Sequence, residues 1–194
     1  MTRRERTIAP EYFEALYARD GDPWKFATSD YEREKYARTL AALPEAQYAA
    51  ALEVGCSIGV LTRQLATRCE RLVAIDAAPT PLTEARRRCR ELTNVEFAQM
   101  FVPGEWPEGV FDLILLSEVI YYLDADDVGE LAKRVDAALA PQATILLVHW
   151  TGETDYPLTG DHAAELFIQA LRDRVEVVRS DQQPRYRLDV LKRR

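Results

Sequence analysis

The feature that most constrains this fold is the alternation of short apolar runs with segments of helical spacing. "AALEV" (50–54) stops at Gly55 and is followed by the helix-like "VLTRQLATRC"; "RLVAID" (71–76) ends in an acid and leads into a predicted helix from Pro79 to Leu92. "NVEFAQ" predicts a third strand, and "FDLILLSEV" (111–119) a fourth, apolar enough to be buried on both faces. A helix over "DADDVGELAKRVDAALAP", acidic in its first turn and closed by Pro141, separates it from a fifth strand, "ATILLVHW" (143–150). Strands divided by helices need right-handed crossovers, which give a parallel sheet with helices on both faces. The last third departs from that rhythm. After a helix at about 161–172, "VEVVRSD" and "RYRLDVL" are joined only by "QQP", a hairpin spacing, so the final strand should run antiparallel. The expected class is therefore α/β, a seven-stranded, mostly parallel sheet with one antiparallel strand near the C-terminus.

Two predicted helices, Pro10 to Arg19 and Asp30 to Leu43, precede the sheet and flank the polar turn "DGDPWKF". They have no place in the sheet. Residues 1–47 are accordingly expected to form a helical lid on a domain of residues 48–194, the whole being one compact unit, as a length of 194 residues suggests.

The formal charge of −7 disfavours a surface that binds nucleic acid by neutralising phosphates. No uncharged apolar stretch is long enough to span a bilayer and no secretory signal is evident, so a cytoplasmic protein without a membrane partner is expected. Cys56, Cys69 and Cys89 fit no zinc spacing and are odd in number, which predicts reduced thiols and no metal. A monomer is expected.

The loop after the first strand decides the ligand class. A P-loop needs Lys and a hydroxyl after its last glycine, but Gly59 is followed by Val60 and Leu61. A dinucleotide loop needs glycines at its first, third and sixth positions, and Gly55, Ser57 and Val60 stand there. What remains is Glu53, two residues before Gly55, and a second acid, Asp76, at the end of the next strand. In an open α/β sheet both converge on the crevice at the carboxyl ends of the strands. Asp76 is placed to accept hydrogen bonds from ribose hydroxyls, and no cation is recruited for phosphate. The expected ligand has a ribose, a base and an amino acid end.

This order of loop, acid-ended strand, "FDLI" and terminal hairpin resembles the class I S-adenosylmethionine-dependent methyltransferases over roughly residues 48–192, and hence a Rossmann-like fold. The resemblance implies that Glu53, Gly55, Cys56, Ser57 and Gly59 accommodate the methionine part and that Asp76, with Ala77 beside it, takes the ribose. Gln99, Met100 and Phe101 come to the adenine, where the family often has an Asp. Ser117 and Glu118 follow the fourth strand against the cofactor. Ser57 replaces the usual middle glycine.

Within that class "DPW" (22–24), "YEREKY" (31–36), "LEVGC", "RLVAID" and "FDLILLSEVIYYL" (111–123) are similar to the nodulation protein S family, N-methyltransferases acting on the free amine of partly deacetylated chitooligosaccharides. By this resemblance Trp24, Arg33 and Tyr36 lie over the cofactor, with Arg33 on the methionine carboxylate. The match fades after residue 149, in "HWTGETDYPLTGDHAAELF", so the acceptor itself is left open: an amino sugar or oligosaccharide is favoured, with a sugar or metabolite hydroxyl as the alternative. A module that binds the cofactor without turnover is disfavoured by the intact acid and glycine set, and an RNA substrate by "SEVI" where "NPPY" is expected. Candidate catalytic residues are His149 as base, Glu118 to attract or deprotonate an amine, and Tyr121 in the acceptor wall. Asp161 is expected to cap the helix that follows it.

Overall fold

The computed structural model describes residues 3–194. The leading helices are α1 (Pro10–Arg19), with Pro at its start, and α2 (Asp30–Ala41), whose first turn is capped by the Ser29 hydroxyl accepting the Glu32 N–H. Then come β1 (Tyr48–Val54), α3 (Val60–Leu65), β2 (Cys69–Asp76), α4 (Pro79–Arg88) and β3 (Val95–Gln99). The chain continues through β4 (Phe111–Ser117), α5 (Ala125–Ala138), β5 (Leu139–Trp150), α6 (Gly160–Ala170), β6 (Val175–Gln182) and β7 (Tyr186–Arg193). The seven strands form one sheet in the order β3-β2-β1-β4-β5-β7-β6, parallel except for β7, which runs antiparallel to both neighbours.

Strand period decides which side chain joins which core. Ile114 and Leu116 of β4 pack with Ile145 and Leu147 of β5 against α5 and α6, while Leu113, Leu115, Leu146 and Val148 enter the opposite layer beside α3 and the start of β1. Each such fully buried aliphatic side chain stabilises the fold by about 1.5–3 kcal/mol relative to exposure.

Two local expectations are revised. Pro141 does not close α5, which ends at Ala138; it sits at the irregular start of β5, where the register against β4 shifts and Gln142 takes φ 58°. Proline lacks the ladder donor, so a strand tolerates it at such an irregularity. The cap of α6 is Thr159, whose hydroxyl accepts the His162 N–H, and Asp161 instead pairs with Arg187 at 3.2 Å.

The front of the chain lies across the carboxyl ends of the strands. The Ile8 N–H donates to the Tyr122 carbonyl, the Arg4 N–H to that of Asp155, and the Thr7 N–H to the Asp124 carboxylate. Glu14 of α1 accepts the Thr80 N–H at 3.1 Å, fixing α1 over α4. Among the described residues no helix is long and apolar enough to cross a membrane, and no group of three or more His, Cys, Asp or Glu is placed to hold a metal.

Candidate active site

The strand order reverses direction at β1, which pairs with β2 on one side and β4 on the other. A crevice opens at the carboxyl ends of such strands, and here it is a cavity of about 420 Å³ roofed by the front segment. Its floor is the loop from Glu53 to Ser57. The N–H groups of Gly55 and Cys56 both donate to the Ile75 carbonyl, tying that loop to β2.

Asp76 ends β2 and organises the same loop. Its carboxylate accepts the Ser57 N–H at 2.8 Å and the Ala78 N–H at 3.0 Å. Burial raises its pKa, and these backbone donors oppose that rise. Glu53 is 2% exposed, and burial pushes its carboxyl up to about 7. Its Oε2 is buried without a hydrogen-bond partner, an unusual condition for a carboxylate, in a residue that lines the cavity floor.

Ser57 adopts φ 50°, a left-handed conformation that costs a non-glycine residue roughly 1–3 kcal/mol. Its hydroxyl meets the Tyr17 hydroxyl of α1, and its N–H is the donor to Asp76, so both neighbours hold the strained turn. The glycines serve packing more than ligand approach. A Cβ on Gly55 would stand 2.3 Å from Val119 Cγ2, and one on Gly59 would stand 3.0 Å from the Ala85 backbone, both at positive φ. Gly55 still lines the cavity; Gly59 does not, and instead lets α3 approach α4.

Opposite this floor lies a buried charge network. Lys35, on α2, is 3% exposed at its side chain and stands 2.6 Å from Glu118 Oε1 and 3.0 Å from Glu32 Oε2. Glu118 Oε2 accepts the Tyr121 hydroxyl and the Trp150 N–H, each at 2.8 Å. Burial works to neutralise Glu118, but Lys35 beside it prevails and holds the carboxyl below its usual range. Like Ser57, Glu118 has a left-handed backbone, with φ 57°. Tyr121 stacks on Tyr156 with ring centroids 5.5 Å apart, and Tyr122 tilts against Tyr156 at 4.6 Å, building an aromatic wall beside the carboxylates.

Most of the residues expected from the sequence meet here. Trp24 and Tyr36 face the cavity from the front segment, Cys56, Ala77 and Ser117 from the sheet ends, and Met100 and Phe101 from beyond β3. Four do not reach it. Arg33 is on the outer face of α2, its side chain 74% exposed and paired with Asp30 at 2.7 Å. Helical period explains this: Glu32, Lys35, Tyr36 and Thr39 take the inner face and leave position 33 outside. Gln99 is exposed, donating from Nε2 to the Ala77 carbonyl. Gly59 packs on Ala85, as above.

His149 is fully buried and does not line the cavity. The period of β5 places it on the same face as Ile145 and Leu147, where its Nε2 accepts the Ile120 N–H at 3.3 Å. Burial lowers its pKa to about 4. A base role at an acceptor is thus not supported by its position. Lys35 and Tyr17, which the sequence reading missed, are central instead; the signal for Lys35 was its spacing of three from Glu32 and four from Thr39 on one helical face.

The fold and the crevice at its strand ends define the class: this is the Rossmann-like architecture of the class I methyltransferases. It superposes on the N-methyltransferase NodS from Bradyrhizobium japonicum WM9 in complex with S-adenosyl-L-homocysteine, with a TM-score of 0.80 and 24% identity over 94% of this chain and 97% of that one. A candidate methyltransferase from Pseudomonas syringae is 36% identical, with a TM-score of 0.75 over 84% of this chain and 99% of its own. The chain belongs to the nodulation protein S (NodS) family, whose model matches residues 14–148. Nodulation protein S of Rhizobium tropici is 36% identical over 115 residues, 59% of this chain and 48% of that protein. The Bradyrhizobium diazoefficiens protein is 33% identical over 127 residues, 64% of this chain and 61% of its own length. The chain thus spans about half to three-fifths of the curated relatives it matches.

Proposed function

We propose that this protein is an S-adenosylmethionine-dependent N-methyltransferase acting on the amine of a small-molecule acceptor, an amino sugar or deacetylated oligosaccharide by analogy with its family. The observation that carries this reading is the pairing, in one cavity, of an unpartnered buried acceptor, Glu53 Oε2, with Asp76 at the end of β2. A ligand with an ammonium, a ribose and a sulfonium suits that acid-rich floor, whereas a phosphate does not. Glu53 and the loop would hold its amino acid end, Asp76 its ribose, and Met100 and Phe101 its base. When bound, this cofactor supplies an electrophilic methyl carbon.

The chain's own residues contribute attraction, orientation and exclusion of water. Glu118, kept ionised by Lys35, attracts the ammonium form of an acceptor and orients its nitrogen. Tyr121, Tyr122 and Tyr156 present aromatic faces that favour a cation at the same place. An alkyl ammonium has no lone pair, so only the neutral amine attacks. Glu118 is too weak a base to hold that proton, which makes the neutral fraction of the acceptor the reactive species. The front segment acts as a lid: α1, α2 and the turn between them carry Tyr17, Trp24, Lys35 and Tyr36 onto the ligand space, and residues 4–8 fasten the cover to the loop at Asp155 and to Tyr122.

Mass spectrometry of reactions containing S-adenosylmethionine and paired acceptors, an amino sugar or deacetylated chitooligosaccharide and its N-acetylated twin, tests the proposal. Methylation of the free amine alone supports it. Methylation of both members of a pair would move the reading to a hydroxyl acceptor.

A further inference from the structure

The hairpin of β6 and β7 carries four arginines; Arg193, at its far end, donates to the Leu139 carbonyl, and two of the other three pair with carboxylates. Arg179 pairs with Asp181 at 2.5 Å, and Arg187 with Asp189 at 2.8 Å and Asp161 at 3.2 Å. Arg185, in the turn between the strands, has no carboxylate partner among the described residues. Its carbonyl accepts the Thr151 N–H, which anchors the turn beside Trp150, and its guanidinium carbon lies 5.8 Å from the centroid of the Tyr31 ring. Arg185, Tyr31 and Trp150 all line the cavity.

Tyr31 is the second half of the feature. Its hydroxyl is buried and has no hydrogen-bond partner, as is true of Glu53 Oε2 in the same cavity, but unlike that carboxylate oxygen it can donate. The ring also lies 5.5 Å from Lys35 Nζ, but that ammonium is already committed to Glu118 and Glu32. The unused groups at this end of the cavity are therefore a guanidinium and a phenol, both donors. The Glu118 carboxylate and its aromatic wall line the same cavity, so an acceptor there can meet a carboxylate at its amine and a cation at Arg185.

We propose that Arg185 and the Tyr31 hydroxyl form a subsite for an anionic group, a carboxylate, phosphate or sulfate, on the far side of the acceptor from its amine. This rests on the reading of the site as an amine methyltransferase. A guanidinium fork and a hydroxyl match the oxygens of such a group in geometry and charge. Arg185 lies outside residues 14–148, the part matched by the family model, and Tyr31 inside it, so only the cationic half of the subsite comes from the chain's last third.

The test uses the full chain and two amines that differ by one anion, glucosamine and glucosamine 6-phosphate. The phosphorylated amine is expected to have a kcat/KM about tenfold to a hundredfold higher, the range given by one or two charge-assisted hydrogen bonds. In Arg185→Ala that ratio should collapse toward one, in Arg185→Lys only partly, and in Tyr31→Phe by the smaller contribution of one hydroxyl, while S-adenosylhomocysteine affinity by calorimetry stays that of the wild type. An equal ratio in wild type and Arg185→Ala overturns the proposal. Inorganic phosphate competing only with the phosphorylated amine assigns the subsite to the acceptor's own anion, whereas phosphate that accelerates the neutral amine assigns it to a separately bound one. If neither amine is methylated, the acceptor reading has failed and the subsite is judged by calorimetry of inorganic phosphate on the S-adenosylhomocysteine-loaded protein. Binding lost in Arg185→Ala then supports it, and no binding by the wild type refutes it.

Discussion

Lys35 Nζ sits 2.6 Å from Glu118 Oε1, joining α2 to the end of the fourth strand through a side chain only 3% exposed. Removing one partner of a buried pair leaves the other charge without compensation, which costs about 3–5 kcal/mol. Lys35→Met should lose about that much stability in urea unfolding, and Lys35→Met with Glu118→Gln should lose less than the sum of the single changes. Additive losses would mean that the two groups do not act as a pair.

Two buried groups should pull the pH dependence of stability in opposite directions. Glu53 has a folded pKa raised to about 7, so its contribution is complete below its unfolded value, about 4.3, and is lost as pH rises through 7. His149 has a folded pKa lowered to about 4, so its contribution is complete above about 6.5 and is lost as pH falls toward 4. Each is worth on the order of 3 kcal/mol over its window. Stability should therefore rise with pH between about 4.5 and 6.5 in Glu53→Gln and fall over the same interval in His149→Gln. Urea midpoints measured across that interval check both signs.

The pH profile of turnover should follow the acceptor instead of the protein. With the neutral amine as the reactive form, log kcat/KM is expected to rise with unit slope until the acceptor's own pKa. Changing the acceptor to a less basic amine should move the bend by the difference in their pKa values, and His149→Gln should leave the bend in place. A bend that stays fixed when the acceptor changes would point to a group on the protein.

Asp76 is expected to govern cofactor affinity. Asp76→Ala removes the acceptor for any ribose hydroxyl and also frees the Ser57 and Ala78 N–H groups. Loss of hydrogen bonds to a charged group should weaken S-adenosylhomocysteine binding by about tenfold to a hundredfold or more in calorimetry. Wild-type affinity in the variant would remove Asp76 from the cofactor site.

The lid reading predicts slower proteolysis within residues 1–40 when S-adenosylhomocysteine is added, because Tyr17, Trp24 and Tyr36 gain a surface to close on. An unchanged cleavage pattern would make the front segment a fixed part of the fold.

The sequence by itself determined the succession of strands and helices and the reversal of the last strand, because apolar runs of strand length stop at glycines and acids and "QQP" is too short for a crossover, whereas the order of the strands across the sheet came from the tertiary structure. It also determined that Glu53 and Asp76 meet, since strand ends in a parallel sheet share one edge. Tertiary structure decided which side chains of each element look inward. Arg33 carries a charge that a cofactor carboxylate would attract, yet the face that includes Glu32 and Lys35 is buried and Arg33 is left outside. His149 titrates near neutrality as a free residue, yet strand period sends it into the core with Ile145 and Leu147. Gly59 resembles a ligand loop but is required by the approach of Ala85. Residue type and spacing specify local structure; the partner that satisfies or excludes a buried polar group comes from another part of the chain, as Lys35 and Glu118 do, separated by 83 positions.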